Sequence, residues 1–122
     1  MKGSLIAALL LVATSTFAAP LVKRLNAYAE HDNWNGRCPH EFRFIADITS
    51  RHAGEVSYQW IRSDGASGRV EWIHFNGPDQ ERRVFTRWTI NRQFRGWEQL
   101  RVQSRNGDVN YSRKVNFNLR CR

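Results

Sequence analysis

Apolar residues return at every second position along most of this chain. A period of two is the repeat of a half-buried strand, so it excludes a helical fold before any other feature is weighed. His40 to Thr49 sets Phe42, Phe44, Ala46 and Ile48 on one face of an extended segment. Val56, Tyr58 and Trp60 form a second row, facing away from Ser57 and Gln59. Val84, Thr86, Trp88 and Ile90 line another, against Arg83 and Arg87. Leu100 and Val102 follow, and then Val115, Phe117 and Leu119, alternating with Lys114, Asn116, Asn118 and Arg120. Val22 to Ala29 supplies an earlier strand. Arg69 to Phe75 is apolar on both faces, with Val70 and Trp72 on one and Ile73 and Phe75 on the other. The total is about seven strands, and the alternation of apolar with polar is that of antiparallel sheets with one solvated face. Asn91 to Arg95 is the one ambiguous piece, with room for a helical turn.

The rows are separated by turn chemistry. Arg51-His52-Ala53-Gly54, Ser63-Asp64-Gly65-Ala66-Ser67-Gly68, Asn76-Gly77-Pro78-Asp79 and Asn106-Gly107-Asp108 fall at strand ends, where Gly and Asn tolerate positive φ. Asn106-Gly107 between alternating segments is a hairpin signal. Strands this short, with turns this frequent, predict an all-β, two-sheet antiparallel β-sandwich.

The first residues read differently. Lys2, an apolar run from Leu5 to Val12 and small residues ending at Ala18-Ala19-Pro20 form the pattern of a secretory signal peptide, with the apolar run too short to span a bilayer. Cleavage after Ala19 leaves residues 20–122 as a single domain, secreted or periplasmic, and no second apolar stretch offers a transmembrane segment. Export decides how Cys38 and Cys121 are read. Two lone cysteines in an oxidising compartment are expected to pair. A bridge closing so long a loop contributes about 4 kcal/mol in the chain-entropy model.

Several marks are shared with a known class. Cys38-Pro39 opens an alternating strand, Val56-x-Tyr58-x-Trp60 runs into Arg62-Ser63-Asp64-Gly65, Gly96-Trp97-x-x-Leu100-x-Val102 comes late, and the last strand ends at Cys121. In these the chain resembles small secreted bacterial immunoglobulin-like domains from Val22 to Arg122. It departs from the antibody pattern, in which the bridge joins mid-strand core positions. Here Cys38 stands at a strand entrance and Cys121 at the chain end, which suggests a clamp between the last strand and the strand that Cys38 opens. The resemblance implies a binding or adhesion module and carries over no catalytic residue.

Motifs for chemistry are missing. His31, His40, His52 and His74 are scattered outside any zinc-binding spacing, and there is no Cys pair to join them, so no metal and no cofactor is expected. Gly-rich phosphate loops and a nucleophile elbow are absent, and Ser67 reads as a turn residue. Glu55, Glu71, Asp79 and Glu98 are carboxylates that folding could bring together, yet their spacing asks for no acid–base pair. The expectation is a protein that is not an enzyme, with a small hydrolase as the remote third reading.

Charge points to partners. The formal net charge is +8, and most of the positive residues are Arg, whose planar fork suits carboxylate, sulfate and phosphate. Arg43, Arg83, Arg87, Arg101, Lys114 and Arg120 all lie opposite their strands' apolar rows, which would make one basic sheet face if those strands were neighbours. An anionic polysaccharide, another acidic surface or a protein partner is the expected ligand, while export argues against nucleic acid. Trp34, in the polar stretch Asn33-Trp34-Asn35-Gly36, and Phe85, on the polar side of its strand, are the aromatic candidates for that surface. The alternative is a small exported inhibitor acting through a loop or sheet edge. Trp60, Tyr58 and Trp88, by contrast, sit in apolar rows and are expected to anchor the core. Asn110-Tyr111-Ser112 matches the N-glycosylation pattern, which is short enough to occur by chance.

Overall fold

The computed structural model describes Gly3 and residues 19–122, so the expected signal peptide lies almost wholly outside the described residues. Among the described residues nine strands run in order: β1 Val22–Ala29, β2 Asn33–Gly36, β3 His40–Ser50, β4 Gly54–Arg62, β5 Glu71–Phe75, β6 Glu81–Ile90, β7 Phe94–Ser104, β8 Val109–Tyr111 and β9 Val115–Cys121. They form two layers. The smaller sheet has the order β1-β3-β6; the larger has the order β2-β9-β7-β4-β5, with β8 pairing to β7 beyond the end of β9. All pairings are antiparallel except β2 with β9. The fold is an immunoglobulin-like β-sandwich.

The two strands beyond the expected seven are β2 and β8. Asn33 to Gly36 has no apolar alternation and reads as a loop, but β1 ends in the smaller sheet and the chain crosses to the free edge of β9, where parallel backbone pairing makes it a strand. The suggested helical turn at Asn91–Arg95 is corrected. Phe94 already begins β7, which pairs with β9 through its first half and with β8 through its second. The Asn106-Gly107 turn closes the β7–β8 hairpin, with Gly107 at φ 96° and Gln103 opposite Val109.

Inward rows meet in one core. Phe42, Phe44, Ala46 and Ile48 from β3 face Val56 and Trp60 from β4, Leu100 and Val102 from β7, and Phe117 and Leu119 from β9. Phe117 is the hub, its ring 4.7 Å from Phe42, 5.4 Å from Phe44, 5.1 Å from Trp88 and 5.9 Å from Phe94. Trp60 and Trp88 are buried, whereas Tyr58 is only half-buried at the margin of the core. The Arg69–Phe75 segment resolves its two-faced pattern by burying Phe75 and turning Trp72 outward.

Cys38 and Cys121 form a disulfide with Cα atoms 5.5 Å apart. Cys121 ends β9 and Cys38 precedes β3, so the bridge ties the last strand to the entrance of the other sheet. Backbone hydrogen bonding continues there, with Arg122 N donating to Gly36 O at 2.8 Å.

Trp60→Ala should lower the unfolding free energy by about 3–5 kcal/mol, the cost of emptying a large aromatic site in a core. Phe85→Ala, on the solvent side of β6, should cost far less. Urea denaturation of both variants, read at the midpoint and checked for an unchanged slope, measures the difference.

Candidate functional site

Register brings some of the sequence-predicted residues together. On β3 and β6, Arg43 faces Arg87, Ile45 faces Phe85 and Asp47 faces Arg83, all on the outer face of the smaller sheet. Phe85, 50% exposed, lies under two guanidinium groups, Arg43 at 4.5 Å and Arg87 at 5.8 Å from its ring centre. These arginines are not free. Arg83 forks onto Asp47 at 2.9 and 3.4 Å, Arg87 reaches Glu41 at 3.5 Å and Arg43 reaches Glu30 at 3.9 Å. Three acids offset three bases, so this face exerts little net field.

The other candidates stand on the larger sheet, so the single basic face is divided in two. Arg101 lies on β7, Lys114 precedes β9 and Trp34 is on β2. Trp34, 39% exposed, stacks on His40 with centroids 4.1 Å apart and planes within 8°, and its Nε1 donates to Arg37 O at 3.2 Å. One indole face is therefore already occupied. Ser112, in the Asn110-Tyr111-Ser112 pattern, is buried, its hydroxyl accepting from Leu100 N at 2.9 Å.

Residues outside that candidate set line an open concavity on the larger sheet. The outward positions of β7 and β9 pair Arg95 with Asn118 and Trp97 with Asn116. With Asp32 and Asn33 from the edge, they line an open cleft of about 570 Å³. A hollow of about 400 Å³ adjoins it, sharing Arg95 and Asn118 and adding Arg120. Arg95 Nε donates to Asn118 Oδ1 at 3.2 Å, and Lys114 Nζ sits 4.5 Å over the Trp97 ring. Among the described residues, Arg95, Arg101, Lys114 and Arg120 have no carboxylate within ion-pair distance. Asp32 is the sole acid lining the cleft. Four cations without an ion pair thus stand on or beside β7 and β9 of the larger sheet. The outward row Arg95, Trp97, Gln99, Arg101 was readable once β7 is known to begin at Phe94; the helical-turn ambiguity hid it.

Below the cleft the packing is close. Gly96 points inward, and a Cβ there would lie 2.5 Å from the Phe94 ring and 2.6 Å from Ser63 Oγ. That space lets Trp97 N donate to Ser63 Oγ at 3.1 Å, while Ser63 N donates to Trp97 O at 3.0 Å. Next on the strand, Glu98 faces into the sandwich, 1% exposed, with Oε2 lacking any hydrogen-bond partner. Its register partner on β4 is Arg62, which is held by Asp64 and stacks 4.0 Å over Trp88. Burial pushes the Glu98 carboxyl up to about 7; Arg62 opposes the rise and Asp64 adds to it. The other carboxylates considered from sequence have separate fates: Glu55 pairs with Arg105, and Asp79 with Lys23 at 2.6 Å.

The arrangement is one of hydrogen-bond donors and acceptors around a flat indole, suited to holding a polyhydroxylated or anionic ligand. Among the described residues, no three His, Cys, Asp or Glu side chains are grouped to hold a metal ion, and no helix is long and apolar enough to cross a membrane.

A raised carboxyl makes the fold favour the protonated form, so stability is full below the unfolded value of 4.5 and declines as pH rises through about 7. The wild-type unfolding free energy should therefore fall by up to about 3 kcal/mol between pH 5 and pH 8. Glu98→Gln should flatten that part of the profile, as read from denaturation midpoints at each pH.

No protein-family model and no curated protein sequence matches the chain. In structure, the chain is similar to the CARDB domain of a Pyrococcus furiosus protein, crystallised in complex with di-metal ions. The TM-score is 0.58 at 11% identity, and the match covers 86% of this chain and 100% of that one. At that identity the likeness concerns the fold alone.

Proposed function

We propose that this chain is a secreted or periplasmic, non-catalytic binding module that holds an anionic polysaccharide on the outer face of the larger sheet. The observation that carries the reading is the grouping of Arg95 and Arg120, neither paired with a carboxylate, around a cleft lined by the amides of Asn33, Asn116 and Asn118 and the indole of Trp97. Guanidinium groups supply forked, charge-assisted hydrogen bonds to sulfate or uronate, and side-chain amides meet sugar hydroxyls as both donor and acceptor. The indole offers an apolar surface to a sugar ring. The smaller sheet, with Arg43, Arg87 and Arg83 matched to Glu30, Glu41 and Asp47, is the less suitable face.

A protein partner is the second reading, and one observation favours it. Val70, Trp72, Val109 and Tyr111 are all exposed, and the register sets Trp72 and Val109 in line across Ser57 and Gln103 on the same outer face. An exported inhibitor would use such a surface.

Retention of the protein on a sulfated polysaccharide should weaken steeply with added salt. Replacing Arg95 and Arg120 together by Ala should lower affinity roughly tenfold or more, since each removes a charge-assisted contact. Arg83→Ala, on the other sheet, should leave it unchanged. Equilibrium binding at several ionic strengths distinguishes the readings. Equal losses for both substitutions would remove the cleft from consideration, and tight, salt-insensitive capture of a single protein would favour the partner reading.

A further inference from the structure

We propose that Arg62, Asp64 and Glu98 form a pH-operated latch beneath the cleft. With Glu98 neutral, Arg62 stays on Asp64 and the loop clamps Trp97; with Glu98 ionised, Arg62 turns to it and the cleft loosens its hold on a polyanion. The inference rests on the reading of that cleft as the ligand site.

One guanidinium stands between two carboxylates, bonded to Asp64 and opposite Glu98 in cross-strand register. Arg62 and Glu98 are direct cross-strand partners facing the interior, and each has a buried polar atom without a hydrogen bond, Nε on Arg62 and Oε2 on Glu98. Arg62 currently spends Nη2 on Asp64, whose Oδ1 accepts from Ala66 N at 3.0 Å. The two competitors stand in different solvent. Asp64 is near the surface, where an ion pair contributes little and a released carboxylate is rehydrated. Glu98 is buried, where an ionised carboxylate without a partner costs several times more. The balance therefore turns on the charge of Glu98, with the structure showing the arrangement that suits its neutral form. The charged groups that bear on Glu98 are Arg62 from β4 and Asp64 from the turn after it. Its β9 register partner is the apolar Val115, and Lys114 beside that residue lies over the Trp97 ring.

Coupling to the cleft follows from sequence adjacency. Ser63 lies between Arg62 and Asp64, and it makes both hydrogen bonds that fix the Trp97 backbone. Trp97 immediately precedes Glu98 and its side chain lines the cleft. A rotation of Arg62 away from Asp64 removes the side-chain ion pair across this turn, leaving the backbone bonds from Arg62 N to Ala66 O and from Gly65 N to Arg62 O, and so bears on the Ser63 contacts with Trp97 and on the neighbouring Arg95–Asn118 pair.

The test follows the backbone amides of Ser63 and Trp97 by NMR from pH 5 to 8.5, in parallel with affinity for a sulfated polysaccharide, whose own charge is constant in that range. Both amides should shift with one midpoint near neutrality, and affinity should be at least about fivefold higher at pH 5.5 than at pH 8. Glu98→Gln should abolish the amide titration and the affinity change that shares its midpoint. Asp64→Asn, which removes the competitor, should move the midpoint to lower pH. Amide shifts that persist unchanged in Glu98→Gln, or a midpoint unmoved by Asp64→Asn, would overturn the latch. Absence of polysaccharide binding at every pH, with the amide titration intact in wild type and lost in Glu98→Gln, would support the latch and overturn the ligand assignment instead.

Discussion

The ring of Phe117 is the contact on which the two layers depend. It stands on β9 in the larger sheet and touches Phe42 and Phe44 of β3 and Trp88 of β6 in the smaller one, with Phe94 of its own sheet closing the cluster. Aromatic pairs at these separations and tilts add to the free energy of simple burial. Because Phe117 faces inward, Asn116 and Asn118 must face outward, and the register with β7 then sets them against Trp97 and Arg95. The cleft is the outer consequence of the inner packing. Gly96 is part of the same constraint, since any side chain there would meet Phe94 and Ser63 and push β7 away from the cluster.

The disulfide acts on the same strand from its far end. Cys121 terminates β9, and its bridge to Cys38 pins that end to the point where the chain enters β3. Between the bridge and the aromatic cluster, β9 is held at two places. The short parallel strand β2, with no apolar row of its own, has a fixed edge to pair with. That pairing carries Asp32 and Asn33 to the rim of the cleft.

Charge pairing separates the two outer faces more sharply than charge counting does. Both carry arginines opposite apolar rows. On the smaller sheet, alternation also placed Glu41 and Asp47 outward on β3, within reach of Arg87 and Arg83. On the larger sheet the outward neighbours of Arg95, Arg101 and Arg120 on β7 and β9 are Trp97, Asn and Gln, with no carboxylate among them, so these arginines keep their fields. Guanidinium groups also lie over two of the exposed aromatic rings, with Arg105 4.4 Å over Trp72 and the Arg43–Arg87 pair over Phe85, contacts that favour these rings in solvent.

The period of two was enough to place Phe42, Phe44, Val56, Trp60, Leu100 and Phe117 inside, because side-chain direction on a strand is a local property of the backbone. Turn residues such as Asn106-Gly107 were legible for the same reason. The amino-acid sequence by itself thus determined a two-layer β-sandwich, most of its core and the outward direction of its arginines. Which of those outward residues share a face is a question of strand order, and strand order depends on long-range pairing that no local pattern encodes. Arg43 and Arg87 became neighbours, Arg101 and Lys114 went to the other sheet, Arg95 and Trp97 emerged beside Asn116 and Asn118, and Glu98 was enclosed opposite Arg62. Only the tertiary structure decided these, since it alone sets which strands are adjacent and in what register.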